Sequence, residues 1–178
     1  VGAEALFDTA SVFGISMANP NTAKELNKYL PQSAYGQGEV VATPFQMARV
    51  AATVAAGGAM PYGRWILDES NPRLEEPRRL IGEGQAVRVG IAMRGVVTGG
   101  TGTRANVAGL PIAGKTGTAE LARGRRSHAW FVGYAPHGGP GRKLSFAVLV
   151  ENGDYGGRTA APIAAEVMAA AKQLGLMQ

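Results

Sequence analysis

The sequence predicts an α+β fold in which helices pack on an antiparallel sheet of about three strands. Segments with helical periodicity dominate the first half of the chain, three short β-rich runs follow residue 106, and an amphipathic segment closes the chain. The chain has 178 residues, of which 46% are hydrophobic. Residues 1–178 can therefore form one domain or a large part of one.

Two short helices are expected near the amino terminus. In residues 3–13, apolar side chains recur at helical spacing: Leu6, Ala10 and Phe13. Gly14 is suited to end this helix, because glycine adopts the left-handed conformation that closes many helices. The second helix is predicted from Ala23 to Tyr29 and is expected to end at Pro31.

The clearest local pattern is the start of a helix at Thr43. Thr43 is suited to cap the helix, Pro44 to occupy its first position, and Gln46 to complete a capping box. Apolar residues then recur at i, i+3, i+4 and i+7: Met47, Val50, Ala51 and Val54. Residues 57–58 are both glycine, so the helix should run for about four turns and pack on a core.

A strand and a second long helix follow in the prediction. The strand covers residues 64–67 and precedes a charged loop that contains prolines. The helix covers residues 83–97 and should end at the glycine pair 99–100. One of its faces should be buried: Val89, Met93 and Val96 or Val97.

Three antiparallel strands are predicted in the second half of the chain. They cover Ile112 to Leu121, Ala129 to Tyr134 and Leu144 to Val150, with turn-forming residues in 122–126 and 136–141 between them. Loops of this length join neighbouring antiparallel strands. The three strands should therefore form a meander.

The last element is predicted to be an amphipathic helix from Ala160 to Leu174, with Pro162 near its start. Its apolar face is expected to consist of four residues in phase: Ile163, Val167, Ala170 and Leu174.

Composition argues against several kinds of function. The net charge is +5, and the basic residues are densest in 73–79 and 123–126. The first cluster is mixed with acidic residues and proline, and the second has no aromatic neighbour on which a base could stack. Nucleic-acid binding is therefore not expected. No apolar run is long enough for a membrane span. There is no cysteine, and His128 and His137 lack the spacing of metal ligands, so neither a metal nor another cofactor is expected.

Residues 109–116 match the phosphate-binding pattern G-x-x-x-x-G-K-[ST], and Glu151 follows an apolar run that could place it near a bound magnesium ion. That loop requires a helix that begins at its Lys-Thr pair. Here Gly117 follows Thr116, and the turn at 122–126 leaves no room for a crossover helix. Nucleotide binding is therefore the weaker hypothesis.

The stronger hypothesis makes Lys115 to Thr118 a strand at the rim of an acyl-transfer site. Alternation places Thr116 and Thr118 on one face, where two hydroxyls can bind a substrate carboxylate, and Lys115 adds positive potential. Gly117 allows close approach to the backbone, and the Thr118 N–H can stabilise an oxyanion. A lone Lys-Thr-Gly would instead favour an ordinary strand with an exposed lysine.

Five motifs occur in one order and resemble the high-molecular-weight penicillin-binding proteins, the serine D,D-transpeptidases that cross-link peptidoglycan. They are Gly36-Gln-Gly38, Thr43-Pro-Phe-Gln-Met-Ala48 with Gly57-Gly58, Gly114-Lys-Thr-Gly-Thr-Ala119, His128-Ala-Trp-Phe-Val-Gly-Tyr-Ala-Pro136 and Gly156-Gly-Arg-Thr-Ala-Ala-Pro162. The resemblance implies a β-lactamase/transpeptidase-like fold. It makes Lys115, Thr116, Gly117 and Thr118 the third active-site motif. Gln37 and Trp130 are then possible structural supports of the cleft.

The sequence also departs from the family. No Ser-x-x-Lys and no Ser-x-Asn occurs in it, so it holds no nucleophile, and we expect it to be a segment that begins just downstream of both motifs. The segment alone should be inactive. No signal peptide is recognised at its start.

By resemblance, the parent protein would act on peptidoglycan stem peptides and bind β-lactams at the extracytoplasmic face of the plasma membrane, held there only by an upstream anchor. Its site would be completed by the N-terminal half of the domain. A non-catalytic module of the same fold, a β-lactamase and a D,D-carboxypeptidase are the alternatives.

Overall fold

The computed structural model of the chain describes residues 2–63, 76–121 and 124–177. Within these ranges the order of elements is α1 (Ala3–Val12), α2 (Ala23–Leu26), α3 (Leu30–Ser33), α4 (Pro44–Ala55), β1 (Ala59–Met60), β2 (Arg78–Arg79), α5 (Glu83–Gly99), a 3₁₀ turn (Thr103–Ala105), β3 (Ala113–Ala119), β4 (His128–Ala135), β5 (Leu144–Val150) and α6 (Gly156–Gln173). The predicted α+β class is confirmed. The predicted strand 64–67 lies outside the described residues.

The main sheet is the predicted meander. Strands β3, β4 and β5 are antiparallel neighbours in chain order. Gly117 of β3 lies opposite Trp130 of β4, which lies opposite Leu149 of β5. Helices α5 and α6 pack on this sheet, and the core between them includes the fully buried Phe131 and Ile112. The sheet therefore holds Lys115 to Thr118 on a rigid support.

The predicted start of α4 is confirmed in detail. The Thr43 side chain accepts from the Gln46 N–H at 3.2 Å, and the Gln46 side chain accepts from the Thr43 N–H at 2.7 Å. The Gln46 amide also donates to the Gly14 carbonyl, which ties α4 to the turn after α1. The helix ends at Ala55, somewhat earlier than four turns, and Gly57 has a φ of +64°.

The predicted buried face of α6 was wrong. Ile163, Val167 and Leu174 are 41%, 50% and 75% exposed. The buried residues are mostly small: Ala160, Ala161, Ala164, Met168 and Ala171. Small side chains let the helix axis approach the sheet closely, so the alanine stripe and not the larger apolar residues faces inward. The helix also begins at Gly156 instead of Ala160, which makes Pro162 an internal residue.

The same effect corrects the prediction for α5. Val89 is 42% exposed, so the prediction was wrong there, whereas Val97 is fully buried as predicted. The other buried residues of α5 are small: Ala86 and Gly90. A methyl group at Gly90 would lie 2.6 Å from the Tyr134 hydroxyl, so an alanine at this position of α5 would require the Tyr134 side chain to shift. The predicted end of α5 at the glycine pair 99–100 is confirmed.

Two smaller predictions were also wrong. The helix expected from Ala23 to Tyr29 ends at Leu26 as α2. Pro31, expected to end it, lies in the first turn of a further helix, α3, where its missing N–H has no helical partner to lose. Arg78 and Arg79, expected in a loop, pair with Met60 and Ala59 in a short antiparallel ladder. Among the described residues, no helix combines the length and apolar character needed to span a membrane.

Candidate active-site cleft

Lys115 to Thr118 lie inside strand β3, as the acyl-transfer hypothesis requires. No helix begins at Lys115, because the strand continues to Ala119. The phosphate-loop hypothesis is wrong for this reason: its anion-binding N–H groups come from a helix start that does not exist here. Within the described residues, β3 pairs on one side only, with β4, so its other edge is open to a ligand.

The side chain of Gln37 fixes the direction in which the Thr118 backbone points. The Gln37 amide donates to the Thr118 carbonyl at 2.8 Å and accepts from the Glu120 N–H at 3.2 Å. In a strand, the N–H and C=O of one residue point to the same side. Since the Thr118 carbonyl faces Gln37 and away from β4, the Thr118 N–H also points to the open edge. This is the orientation that an oxyanion donor needs.

The hydroxyl of Thr116 is held by a second threonine. Thr101, in the turn after α5, shares a 2.6 Å hydrogen bond with it. Lys115 is exposed on the other face of the strand, and its Nζ donates to the Thr116 carbonyl at 2.6 Å. Trp130 lies across from Gly117, where a methyl group would be 3.1 Å from the Trp130 Cβ. Trp130 thus packs beside the strand on the face of Lys115.

A cavity of about 390 Å³ lies next to the two threonines of β3. It is formed by β3, the turn after α5 and the first turn of α6. Its lining residues are Thr101, Thr103, Arg104, Thr116, Thr118, Tyr155, Gly156, Gly157 and Arg158. Hydroxyl and guanidinium groups dominate the wall of the cavity, and no carboxylate lines it. The cavity is therefore suited to an anionic group.

The start of α6 closely approaches β3 and β4. A methyl group at Gly156 would lie 2.1 Å from the Trp130 carbonyl oxygen and 2.6 Å from the Gly117 carbonyl oxygen. One at Gly157 would lie 2.0 Å from the Thr101 carbonyl oxygen. Only glycine permits such distances to backbone atoms, so the pair Gly156 and Gly157 brings α6 to the wall of the cavity.

The turn between β5 and α6 is fastened to the start of β4. Arg126 binds both carboxylate oxygens of Asp154, with a shortest distance of 2.6 Å, and the Asp154 N–H donates to the Ser127 carbonyl at 3.0 Å. The hydrogen bond from Arg126 lowers the pKa of Asp154 and raises that of Arg126. Asn152 and Asp154 have φ values of 54° and 62°, a conformation uncommon outside glycine. These contacts hold Tyr155 at the cavity mouth.

The described residues contain no group of three or more histidine, aspartate or glutamate side chains that could hold a metal ion. Two pairs of residues line the cavity without having been predicted from the sequence as site residues. Thr101 and Arg104 lie in a turn whose relation to β3 no local pattern reveals. Tyr155 and Arg158 flank the pair Gly156 and Gly157, which begins one of the five motifs that resemble the family. That motif is the sequence signal that could have identified these two residues.

Comparison with known proteins identifies the family. The model of the penicillin binding protein transpeptidase domain matches residues 1–169. The chain belongs to this family. It is 38% identical over 162 residues to the peptidoglycan D,D-transpeptidase PbpA of Mycolicibacterium smegmatis, a match that covers 82% of this chain and 32% of that protein. It is 32% identical over 152 residues to the stage V sporulation protein D of Bacillus subtilis, which covers 76% of this chain and 23% of that protein.

Solved structures agree with the sequence comparison. The D,D-transpeptidase domain of a peptidoglycan glycosyltransferase from Eggerthella lenta matches with a TM-score of 0.73 and 28% identity, over 98% of this chain and 49% of that chain. A peptidoglycan glycosyltransferase from Burkholderia ambifaria matches with a TM-score of 0.74 and 26% identity, over 97% and 58%. The chain thus spans about half the length of these solved chains and a third or less of the two relatives named above.

Proposed function

We propose that this chain is the C-terminal segment of a serine D,D-transpeptidase domain and supplies the side of its cleft that binds the substrate carboxylate and the oxyanion. In the complete protein, a serine outside this chain would attack the penultimate D-alanine carbonyl of a peptidoglycan stem peptide. D-alanine would leave, and the acyl group would pass from the serine to a neighbouring amine.

The observation that carries the proposal is the orientation of Thr118. Its N–H points to the open edge of β3, beside the hydroxyl-lined cavity that also contains Thr116. An N–H so fixed can stabilise the negative charge that develops on a carbonyl oxygen during acyl transfer. The hydroxyls of Thr116 and Thr118 face a cavity suited to the carboxylate that stem peptides and β-lactams share.

The proposal is tested by intact-mass analysis of the full-length protein after incubation with benzylpenicillin. One adduct per protein is expected, and the isolated segment 1–178, which has no Ser-x-x-Lys, should gain none. Thr118→Val keeps the backbone N–H but removes the hydroxyl. It should slow acylation roughly 10- to 100-fold, which corresponds to one hydrogen bond to a charged group.

The absence of any adduct on the full-length protein would refute the proposal and favour a non-catalytic module of the same fold. Acylation followed by rapid release of penicilloic acid would favour a β-lactamase. Release of free D-alanine without cross-linked product would favour a D,D-carboxypeptidase.

A further inference from the structure

Two arginines, Arg104 and Arg158, line the cavity beside Thr116 and Thr118. Both are exposed, and within the described residues neither forms an ion pair. The cavity wall therefore carries two positive charges and no negative one. A ligand that brings a carboxylate into this space gains attraction that a neutral ligand of the same shape lacks.

The position of Arg104 follows from an irregularity in α6. Pro162 has no N–H, so the carbonyl of Arg158, four residues earlier, lacks its usual helical partner. Arg104 fills this vacancy: its Nη1 donates to the Arg158 carbonyl at 3.2 Å. The guanidinium of Arg104 is thus held at the start of α6, and within the described part of the chain its other N–H groups have no partner and can donate to a ligand.

The charge of Arg158 is kept available by the neighbouring ion pair. Asp154 lies four residues before Arg158, outside α6, and the charge of Arg158 contributes to lowering the pKa of Asp154, although less than the hydrogen bond from Arg126. Arg126 binds both carboxylate oxygens of Asp154, and among the described residues Asp154 forms no ion pair with Arg158. The nearby carboxylate is therefore bound by another arginine.

The geometry points to Arg158 and Arg104 as specificity-determining residues that select ligands with a free carboxylate in the cavity beside Thr116 and Thr118. This inference rests on the proposed function for the identity of the ligand, and adds to it the groups that supply charge selectivity. The threonine hydroxyls bind carboxylates and neutral carbonyls alike, since they donate to either. The arginines discriminate between the two.

The test compares two ligands that differ only in charge. Acylation rates of the full-length protein are measured with a β-lactam that carries a free carboxylate and with its methyl ester, and the ratio of the two rate constants is the readout. Arg158→Ala should lower this ratio about 3- to 10-fold and Arg158→Lys less, because lysine keeps the charge but loses the planar fork. Arg104→Ala should act in the same direction.

Two further variants sharpen the test. Arg88→Ala removes the same charge from an exposed site on α5, about 16 Å along the helix from its carboxyl end, and should leave the ratio unchanged. Arg126 does not itself line the cavity, although its bond to Asp154 helps to hold Tyr155 there, and Arg126→Ala releases Asp154 to pair with Arg158. It should therefore lower the ratio as Arg158→Ala does, and Arg126→Ala combined with Asp154→Asn should restore it.

A second readout separates this inference from the proposed function. Equilibrium binding of N-acetyl-D-alanyl-D-alanine and of its carboxamide is measured by NMR titration of wild type and Arg158→Ala. If no β-lactam acylates the protein, the proposed function fails, yet a preference for the acid that Arg158→Ala abolishes would still support the charge selectivity. An unchanged ratio of acylation rates, or an unchanged acid-to-amide preference, in Arg158→Ala would overturn the inference.

Discussion

Replacement of Gly156 by alanine should destabilise the protein, although alanine is the better helix former. The new methyl group would lie 2.1 Å from the Trp130 carbonyl oxygen, about 0.9 Å closer than real Cβ contacts come. Neither neighbour is a flexible side chain, so α6 must shift or the ladder between β3 and β4 must open. Overpacking of this kind costs roughly 1–3 kcal/mol, against a gain in helix propensity of at most about 0.5–1 kcal/mol, because Gly156 is the first residue of α6. The net effect is a loss of up to about 2.5 kcal/mol.

Two other helical glycines provide matched comparisons. Gly95 of α5 is exposed and has nothing within 4 Å of its added methyl group, so Gly95→Ala should stabilise by about 0.5–1 kcal/mol. At Gly90 the three atoms nearest to the methyl group all belong to side chains: the Tyr134 hydroxyl at 2.6 Å and two atoms of the His137 ring, the nearer at 3.4 Å. Gly90→Ala should therefore fall between the other two variants.

The free energy of unfolding of the full-length protein, obtained from urea denaturation, gives the order of the three variants. The expected order of stability is Gly95→Ala, wild type, Gly90→Ala, Gly156→Ala. If Gly156→Ala proved as stable as Gly95→Ala, the close approach of α6 to β3 would be refuted, and with it the account of how the cavity wall is placed. Acylation by benzylpenicillin should slow in Gly156→Ala alone, because only this glycine contacts the strand that carries Thr118.

Three further outcomes are expected. Gln37→Ala removes both hydrogen bonds to the edge of β3 and should cost about 1 kcal/mol while slowing acylation. Gln37→Glu keeps the acceptor but sets a carboxylate oxygen against the Thr118 carbonyl, so it should be at least as unstable as Gln37→Ala. Asp154→Asn should lower the thermal midpoint of unfolding near neutral pH but not in acid. The hydrogen bond from Arg126 lowers the pKa of Asp154, so the ion pair stabilises the fold above pH 3.8, and this stabilisation is lost as the pH falls through the lowered pKa. His137→Phe should make the thermal midpoint less sensitive to acid. Burial lowers the pKa of His137, so its neutral form contributes stability above pH 6.5, and this stability is lost as the pH falls through the lowered pKa. A thermal midpoint that shifts equally at all pH values would contradict either assignment.

Predictions from the sequence succeeded where the deciding interactions are local. Thr43 and Gln46 are three residues apart, so the capping box is readable from the chain itself, and the structure contains both of its hydrogen bonds. The meander was predictable for the same reason, because each strand pairs with its successor across one short loop. The Lys115 strand was found because its residues occur together in one motif.

The errors concern distances between elements that are remote in the chain. Which face of α6 is buried depends on how closely the helix approaches the sheet, and Gly156 sets that distance. Hydrophobic periodicity ranks Ile163 and Val167 above the alanines and contains no information on this distance. Arg104 and Arg158 are 54 positions apart, and their contact exists only because Pro162 leaves a carbonyl unpaired. Periodicity describes one helix at a time and cannot reveal either relation.

The side-chain amide of Gln37 gives the edge of β3 a polarity of its own. The Thr118 carbonyl and the Glu120 N–H are bound to this amide, and the Thr116 carbonyl is bound to Lys115. The groups of Thr116 and Thr118 that remain open are N–H donors. A second strand needs donors and acceptors in alternation along this edge. Its own N–H groups would have no acceptor opposite Thr116 and Thr118, because both carbonyls already accept hydrogen bonds. A ligand rich in oxygen acceptors meets no such mismatch, so the edge can bind a carbonyl or carboxylate while resisting pairing with another copy of itself.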